Sequence, residues 1–247
     1  MKRSFFKWNV TAFSLVELLV VIAIIGILAA LILMGVSRVK KRTQVTVDLS
    51  NQKQILTAML MYVSDNQDSL PNPGYGRSNP CWAYAANLPS GPVGGAGPAF
   101  EAILRAQQDS FANGQLAPHL RACSLLKCPG DTPVSDPRYY QRKVYISSYV
   151  WNAAIIGYAE QRPSFKISRF SPNDILQWEQ DEKEETFYFN DCANRPDELL
   201  SHRHGKIGPV GLFDGSVEQI KCKEFEDFAL APMANRLWCR PDSPTGR

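Results

Sequence analysis

Two histidines two residues apart, His202 and His204, precede an aspartate, Asp214, near the C-terminal end of the chain. On a strand, residues two apart point to the same face. Two imidazoles and a carboxylate are a known donor set for a divalent transition metal, so a metal hydrolase could be built on these three residues. The same residues also read as structure, with Asp214 serving a turn and His204 tethering the incoming loop by a hydrogen bond. Nothing else in the chain completes an enzyme. His119 stands alone after a proline, no serine sits in a nucleophile elbow, and no glycine loop has phosphate-binding spacing.

A second candidate is the acidic stretch EQDEKEETFYFNDCANRPDE, residues 179–198. Asp181, Glu182, Glu184, Glu185 and Asp191 offer oxygen donors of the kind calcium takes, although no recognised ligand spacing appears. A solvated acidic loop, or a surface for a neighbouring subunit, is the alternative. No other cofactor is indicated. The six cysteines all lie at or beyond Cys81, so disulfides are permitted if that part is exported. Cys123 and Cys128, with four residues between them, do not have a common zinc spacing.

Charge narrows the partners. The 247 residues carry a formal net charge of +3, and Lys2, Arg3 and Lys7 account for all of it. Without the first twelve residues the remaining 24 basic groups balance 24 acidic ones. A balanced chain lacks the phosphate-neutralising excess needed for general nucleic-acid binding.

These residues must be positioned by a mixed set of elements. After Val36 an amphipathic helical pattern places Val45, Leu49, Leu56, Met59, Leu60 and Val63 near one face, interrupted by Gln52 and Lys53. Lys40, Lys41, Arg42, Asp48, Asn51 and Gln54 fall on the remainder, and Pro71 with Asn72-Pro73-Gly74 ends the pattern. Residues 100–114 read as a short helix. KVYISSYVWN (143–152), DILQWEQ (174–180) and, more weakly, TFYFN (186–190) read as strands. In GPVGLFDGSVEQIK (208–221), Asp214-Gly215 predicts a two-residue hairpin turn, with Leu212 opposite Val217 and Phe213 opposite Ser216. The expectation is an α+β fold: a small antiparallel sheet packed on a long helix.

The N terminus has its own logic. From Phe13 to Val36 only Glu17 can ionise, in a run long enough to span a bilayer as a helix. The run exceeds the apolar core of a secretory signal. Basic residues flank it on both sides, so charge counting leaves orientation open. A carboxylate in such a segment needs a partner or a role, unless it sits solvated among headgroups.

Phe13-Ser14-Leu15-Val16-Glu17-Leu18-Leu19, preceded by the basic leader MKRSFFKWNVTA, resembles the type IV pilin and pseudopilin family. Ala12 stands where that family usually has Gly. The resemblance implies that a prepilin peptidase/methyltransferase cuts between Ala12 and Phe13 and N-methylates Phe13. It implies an inner-membrane helix over 13–36, an amphipathic continuation over 37–66 and an exported domain over 67–247, with the N terminus cytoplasmic. It also implies assembly with other pilin or pseudopilin subunits into a type IV pilus or type II secretion pseudopilus, with Glu17 pairing a neighbour's N-terminal amine. His204, nine residues and then Asp214-Gly215 resemble the H-X9-DG signature of a bacterial subgroup of pilin-like proteins. Arg203, Lys127-Cys128-Pro129 and MYVSDNQDSLP are similar to that subgroup too. The alternative is a membrane-anchored periplasmic binding protein that never polymerises.

Overall fold

The computed structural model describes residues 14–158, 163–183 and 188–247. The chain divides into two units, one ending at Arg42 and the other running Thr43–Arg247. Helix α1, Leu15–Asp65, contributes to both.

In the first unit the helix is apolar from Leu18 to Val36 before a basic run begins at Arg38, and none of Leu15–Ile32 is buried. This stretch has a mean hydropathy of 3.1 over 18 residues, long and apolar enough to cross a membrane.

The second unit is built on a five-stranded sheet of order β3-β1-β2-β4-β5. Its strands are β1 (Tyr149–Asn152), β2 (Ile175–Glu179), β3 (Ala193–Asn194), β4 (Ile207–Leu212) and β5 (Val217–Lys221). Helices α2 (Pro98–Phe111) and α3 (Cys222–Leu230) complete it. Alternation along β1 sends side chains to both faces. Tyr149 and Trp151 join Ile55, Leu56, Met59 and Val63 of α1 in one core, where Trp82 stacks on Trp151 at 4.8 Å between ring centroids. Val150 joins Trp178, Val210 and Phe225 of α3 in another. The sheet is thus covered by helix on both faces, and the fold is α+β as expected.

Five details depart from expectation, the last being the register of the hairpin. The sheet is mixed, because β3 pairs parallel with β1 through Trp151–Ala193 and Asn152–Asn194. Residues 143–148 are not strand. The amides of Lys143 and Val144 donate to Phe189 O, and those of Tyr145 and Ile146 to Gln107 Oε1, so no ladder can form. Of the expected strand 186–190, Tyr188–Asn190 turn instead, with Phe189 at φ 40°, and the rest lies outside the described residues. Asp48 and Asn51 are buried, on the packed face of α1 and not on its solvent side.

The hairpin forms, but in another register. Gly211 pairs with Val217, and the Leu212 amide donates to Ser216 O at 2.9 Å. The loop is therefore the three residues Phe213-Asp214-Gly215. Of the last two only Gly215 has positive φ, at 83°. A two-residue type I′ turn needs both, whereas a three-residue loop with a glycine in the left-handed position needs one.

Candidate functional site

At the start of α1, Ser14 and Glu17 close on each other. The Ser14 amide donates to Glu17 Oε2 at 2.9 Å, and the Glu17 amide to Ser14 Oγ at 3.2 Å. This is a capping box, satisfying two of the amides a helix leaves free at its first turn. The pattern Ser-Leu-Val-Glu carries that signal, so Glu17 has a local role in addition to any partner. Ala12 and Phe13 lie outside the described residues.

His204 leads to the second site. The structure does not bring it together with His202 and Asp214. His202 is exposed, and β4, about 20 Å of extended chain, lies between His204 and Asp214. The Asp214 carboxylate instead accepts the Ser216 amide at 2.7 Å within the turn.

His204 turns inward to α1. Its Nε2 lies 3.3 Å from Asp48 Oδ2, 3.4 Å from Cys128 Sγ and 3.6 Å from Glu179 Oε2. The donor atoms of these four residues all fall within 4.8 Å of one another, so Asp48, Cys128, Glu179 and His204 could together hold a metal ion. Tyr149 Oη donates to Asp48 Oδ1, and the Gly130 amide to Cys128 Sγ at 3.2 Å. Burial pushes the Glu179 carboxyl up to about 7, the nearby Asp48 charge pushing the same way and Arg203 and His204 opposing. Burial also pushes the Cys128 thiol up, helped by Glu179 and Asp48. For His204 burial pulls down, but the contact to Asp48 and the charge of Glu179 outweigh it and leave the imidazole raised.

Arg203 continues the cluster. Its guanidinium is 3.1 Å from Glu179, 2.8 Å from Glu182 and 3.3 Å from Asp131. None of its three nitrogens makes an aligned hydrogen bond, so these contacts are electrostatic. Asp131 is better satisfied. It takes both forks of Arg142 at 2.8 and 2.7 Å, Ser148 Oγ at 2.6 Å and Lys127 Nζ at 2.8 Å. Burial alone would raise its pKa; Lys127, Arg203 and Arg142 hold it well below the usual carboxylate range.

The far end of the motif also rests on α1. Lys53 Nζ donates to Gly215 O at 2.7 Å, and a side chain at 215 would meet Leu60. Lys53 thus interrupts the apolar face because it has a backbone carbonyl to reach. From Asp48 to Leu60 the helix rises about 18 Å, close to the length of β4. His204 and Asp214-Gly215 therefore act as two pins, one at each end of that strand, seating it along the helix.

The acidic segment does not converge in the same way. Asp181 accepts the Lys183 amide, while Asp191 accepts the amides of Gly76 and Ala193. Glu184 and Glu185 lie outside the described residues. Asp191 lines a cavity of about 540 Å³ with Tyr75, Arg77, Arg195, Asp197 and Glu198.

His204 was visible in the sequence as a candidate; its partners were not. The available signals were an aspartate, Asp48, at a heptad-like offset from Ile55 and Met59, and a glutamate closing the apolar strand ILQWE. Lys127-Cys128-Pro129 and Arg203 stood out only by resemblance.

Residues 9–33 match the family model described as the prokaryotic N-terminal methylation motif. No curated protein and no solved structure matches the chain. The motif gives the chain the N terminus of a type IV pilin-like precursor.

Proposed function

We propose that the chain is a structural pilin-like subunit, not an enzyme. It is cut after Ala12, N-methylated on Phe13 and held in the inner membrane by α1, with its N terminus cytoplasmic and the second unit exported. It then assembles through that helix with other pilin or pseudopilin subunits into a type IV pilus or type II secretion pseudopilus. The observation that carries this reading is a methylation motif over residues 9–33 that runs straight into a helix whose Leu15–Ile32 stretch buries no side chain of its own. A helix apolar all round wants a lipid or a protein environment. In a fibre, Glu17 pairs with the N-terminal amine of a neighbouring Phe13. The H-X9-DG resemblance fits the same role, its histidine and its turn being the two pins that hold β4 on α1.

The test is mass analysis of the N terminus of protein taken from its native membrane. A methylated chain beginning at Phe13 is expected. An intact Met1, or a cut near Gly35, would overturn the reading.

One observation favours a second reading, a membrane-anchored binding protein that does not polymerise. The cavity beside Asp191 is large enough for a small ligand. Calcium among Asp181, Asp191 and their acidic neighbours belongs with that reading. Calcium-dependent thermal stabilisation, abolished by Asp191→Ala, would support it.

A further inference from the structure

We propose that Asp48, Cys128, Glu179 and His204 form a four-ligand site for Zn²⁺ or a closely related divalent transition ion, fastening α1 to the sheet. The ligands come from four separate segments: α1, the loop before β1, the end of β2 and the approach to β4. The assignment does not depend on how the chain is processed or assembled.

Geometry carries it. A single ring nitrogen, His204 Nε2, is hydrogen-bonded to Cys128 Sγ at 3.4 Å and also faces two carboxylate oxygens at 3.3 and 3.6 Å. It can carry one hydrogen, and the two carboxylate distances exceed the usual range of about 2.7–3.2 Å for N–H···O bonds. As a hydrogen-bond arrangement this is poor. The three distances from His204 match the edges of a coordination shell, and the other three lie within 4.8 Å, so a bound ion would draw those ligands in. With Zn–N and Zn–O near 2.0–2.1 Å and Zn–S near 2.3 Å, a tetrahedron has edges of about 3.3–3.6 Å.

The surroundings agree. Tyr149 Oη holds Asp48 by Oδ1, which leaves Oδ2 facing His204. The Gly130 amide points at Cys128 Sγ, as a group stabilising thiolate would. Glu179 is 1% exposed and its Oε1 has no hydrogen-bond partner, a costly condition for a buried carboxylate. A divalent ion would join the Arg203 guanidinium, 3.1 Å from Glu179, in offsetting two carboxylates and a thiolate.

The donor set selects the ion. Imidazole and thiolate suit zinc and its neighbours, whereas calcium and magnesium want oxygen shells of higher number. Four protein ligands leave no open position, which is the pattern of a structural site.

The full chain in detergent micelles, stripped with a chelator, would be titrated with Co²⁺ and then Zn²⁺. The expected result is about one equivalent of Co²⁺ per chain, with the intense visible absorption of tetrahedral cobalt and a thiolate charge-transfer band, both displaced by Zn²⁺. Zn²⁺ should also raise the unfolding temperature. Cys128→Ser should lose the charge-transfer band and roughly tenfold or more in zinc affinity. His202→Ala, which alters only the exposed neighbour, should keep both. Unfolding on chelation that Zn²⁺ reverses would count for the site. A stripped wild-type chain that stays folded and gives no tetrahedral cobalt spectrum would overturn it, as would Cys128→Ser binding zinc like the wild type.

Discussion

The two ends of helix α1 are solved by opposite physics. Leu15–Ile32 is apolar and buries nothing within the chain: Leu15 is 79% exposed and Ile32 62%. Between Thr43 and Asp65 the helix carries Asp48, Asn51 and Gln52, and these polar side chains are buried alongside Ile55, Leu56 and Met59. In the first part the side chains await a surrounding that other molecules must provide. In the second the surrounding is built in. Tyr149, His204 and Gln52 meet Asp48, and Asn51 Nδ2 donates to Lys127 O at 3.0 Å. Hydropathy alone would rank the first part as the core and would leave Asp48, Asn51 and Gln52 of the second on the surface. What decides is whether the chain supplies partners: a buried polar group is tolerable once paired, and an apolar face is tolerable in water only once covered.

Glu17 offers the sharpest way to break this contrast, and the largest expected effect. It is both a capping-box residue and the one ionisable group of the apolar stretch. Glu17→Ala removes both functions, whereas Glu17→Gln keeps an acceptor for the Ser14 amide and removes the charge. If the charge pairs with a neighbour's amine, both variants should insert in the membrane and neither should enter fibres, scored by fractionating sheared fibres from membranes. Fibres formed normally by Glu17→Gln but not by Glu17→Ala would reassign the residue to the cap. Neither change should move the unfolding midpoint of the second unit, which makes its own contacts.

In the second unit the matching experiment is Asp131→Ala. It strands Arg142, fully buried and ringed by Tyr139, Tyr188 and Phe189, with Asp136 its one remaining anionic partner among the described residues. Removing one member of such a buried pair costs about 3–5 kcal/mol. Urea unfolding of the full chain in detergent should show a loss of that order, with no effect on membrane insertion. A loss under about 1 kcal/mol, the range of an exposed pair, would mean that water reaches the cluster.

How far the sequence disclosed all this follows the same division. The apolar helix was legible because its signal is local: length, hydropathy and one charge at a fixed distance from a phenylalanine. Strand β2 and helix α2 were legible from pattern, and the hairpin from Asp214-Gly215. The partners of His204 were not, because Asp48, Cys128 and Glu179 are joined to it only by tertiary packing across up to 156 positions of chain. The irregular run before β1 was misread as strand for a related reason. Its β-branched and aromatic residues fit a strand, but the Gln107 side chain takes the backbone bonds a neighbouring strand would have made.

The hairpin pin tests the built-in surrounding at a single atom. At Gly215, φ is 83° and an added Cβ would stand 2.6 Å from Leu60 Cδ1. Gly215→Ala therefore meets backbone strain and a crowded neighbour together, and Leu60 is 37% exposed and able to give way. The expected cost is about 1–2 kcal/mol in urea unfolding. Gly205→Ala is a useful contrast, since its φ of 94° carries similar strain while nothing lies near its added Cβ. Equal losses at both would assign the cost to backbone alone and remove the helix from the argument.

The smallest effect concerns a carboxylate that the second unit buries without close pairing. Burial pushes Asp191 up to about 6, against the amides of Gly76 and Ala193 that favour its ionised form. An unfolded aspartate titrates near 3.9. Between about pH 4 and 6 the folded state therefore holds a proton that the unfolded state has lost, so stability falls as pH rises through that window and levels above it. Asp131 has the opposite sign: its depressed pKa gives stability that is present above about pH 4 and lost only as pH falls through the folded value. The Asp191 contribution between pH 5 and pH 7 is about 1 kcal/mol. It is read as the difference between wild type and Asp191→Asn in how much each loses over that range, which cancels the many other acids. A variant that loses as much as wild type would place Asp191 in ordinary contact with water, through the cavity it lines.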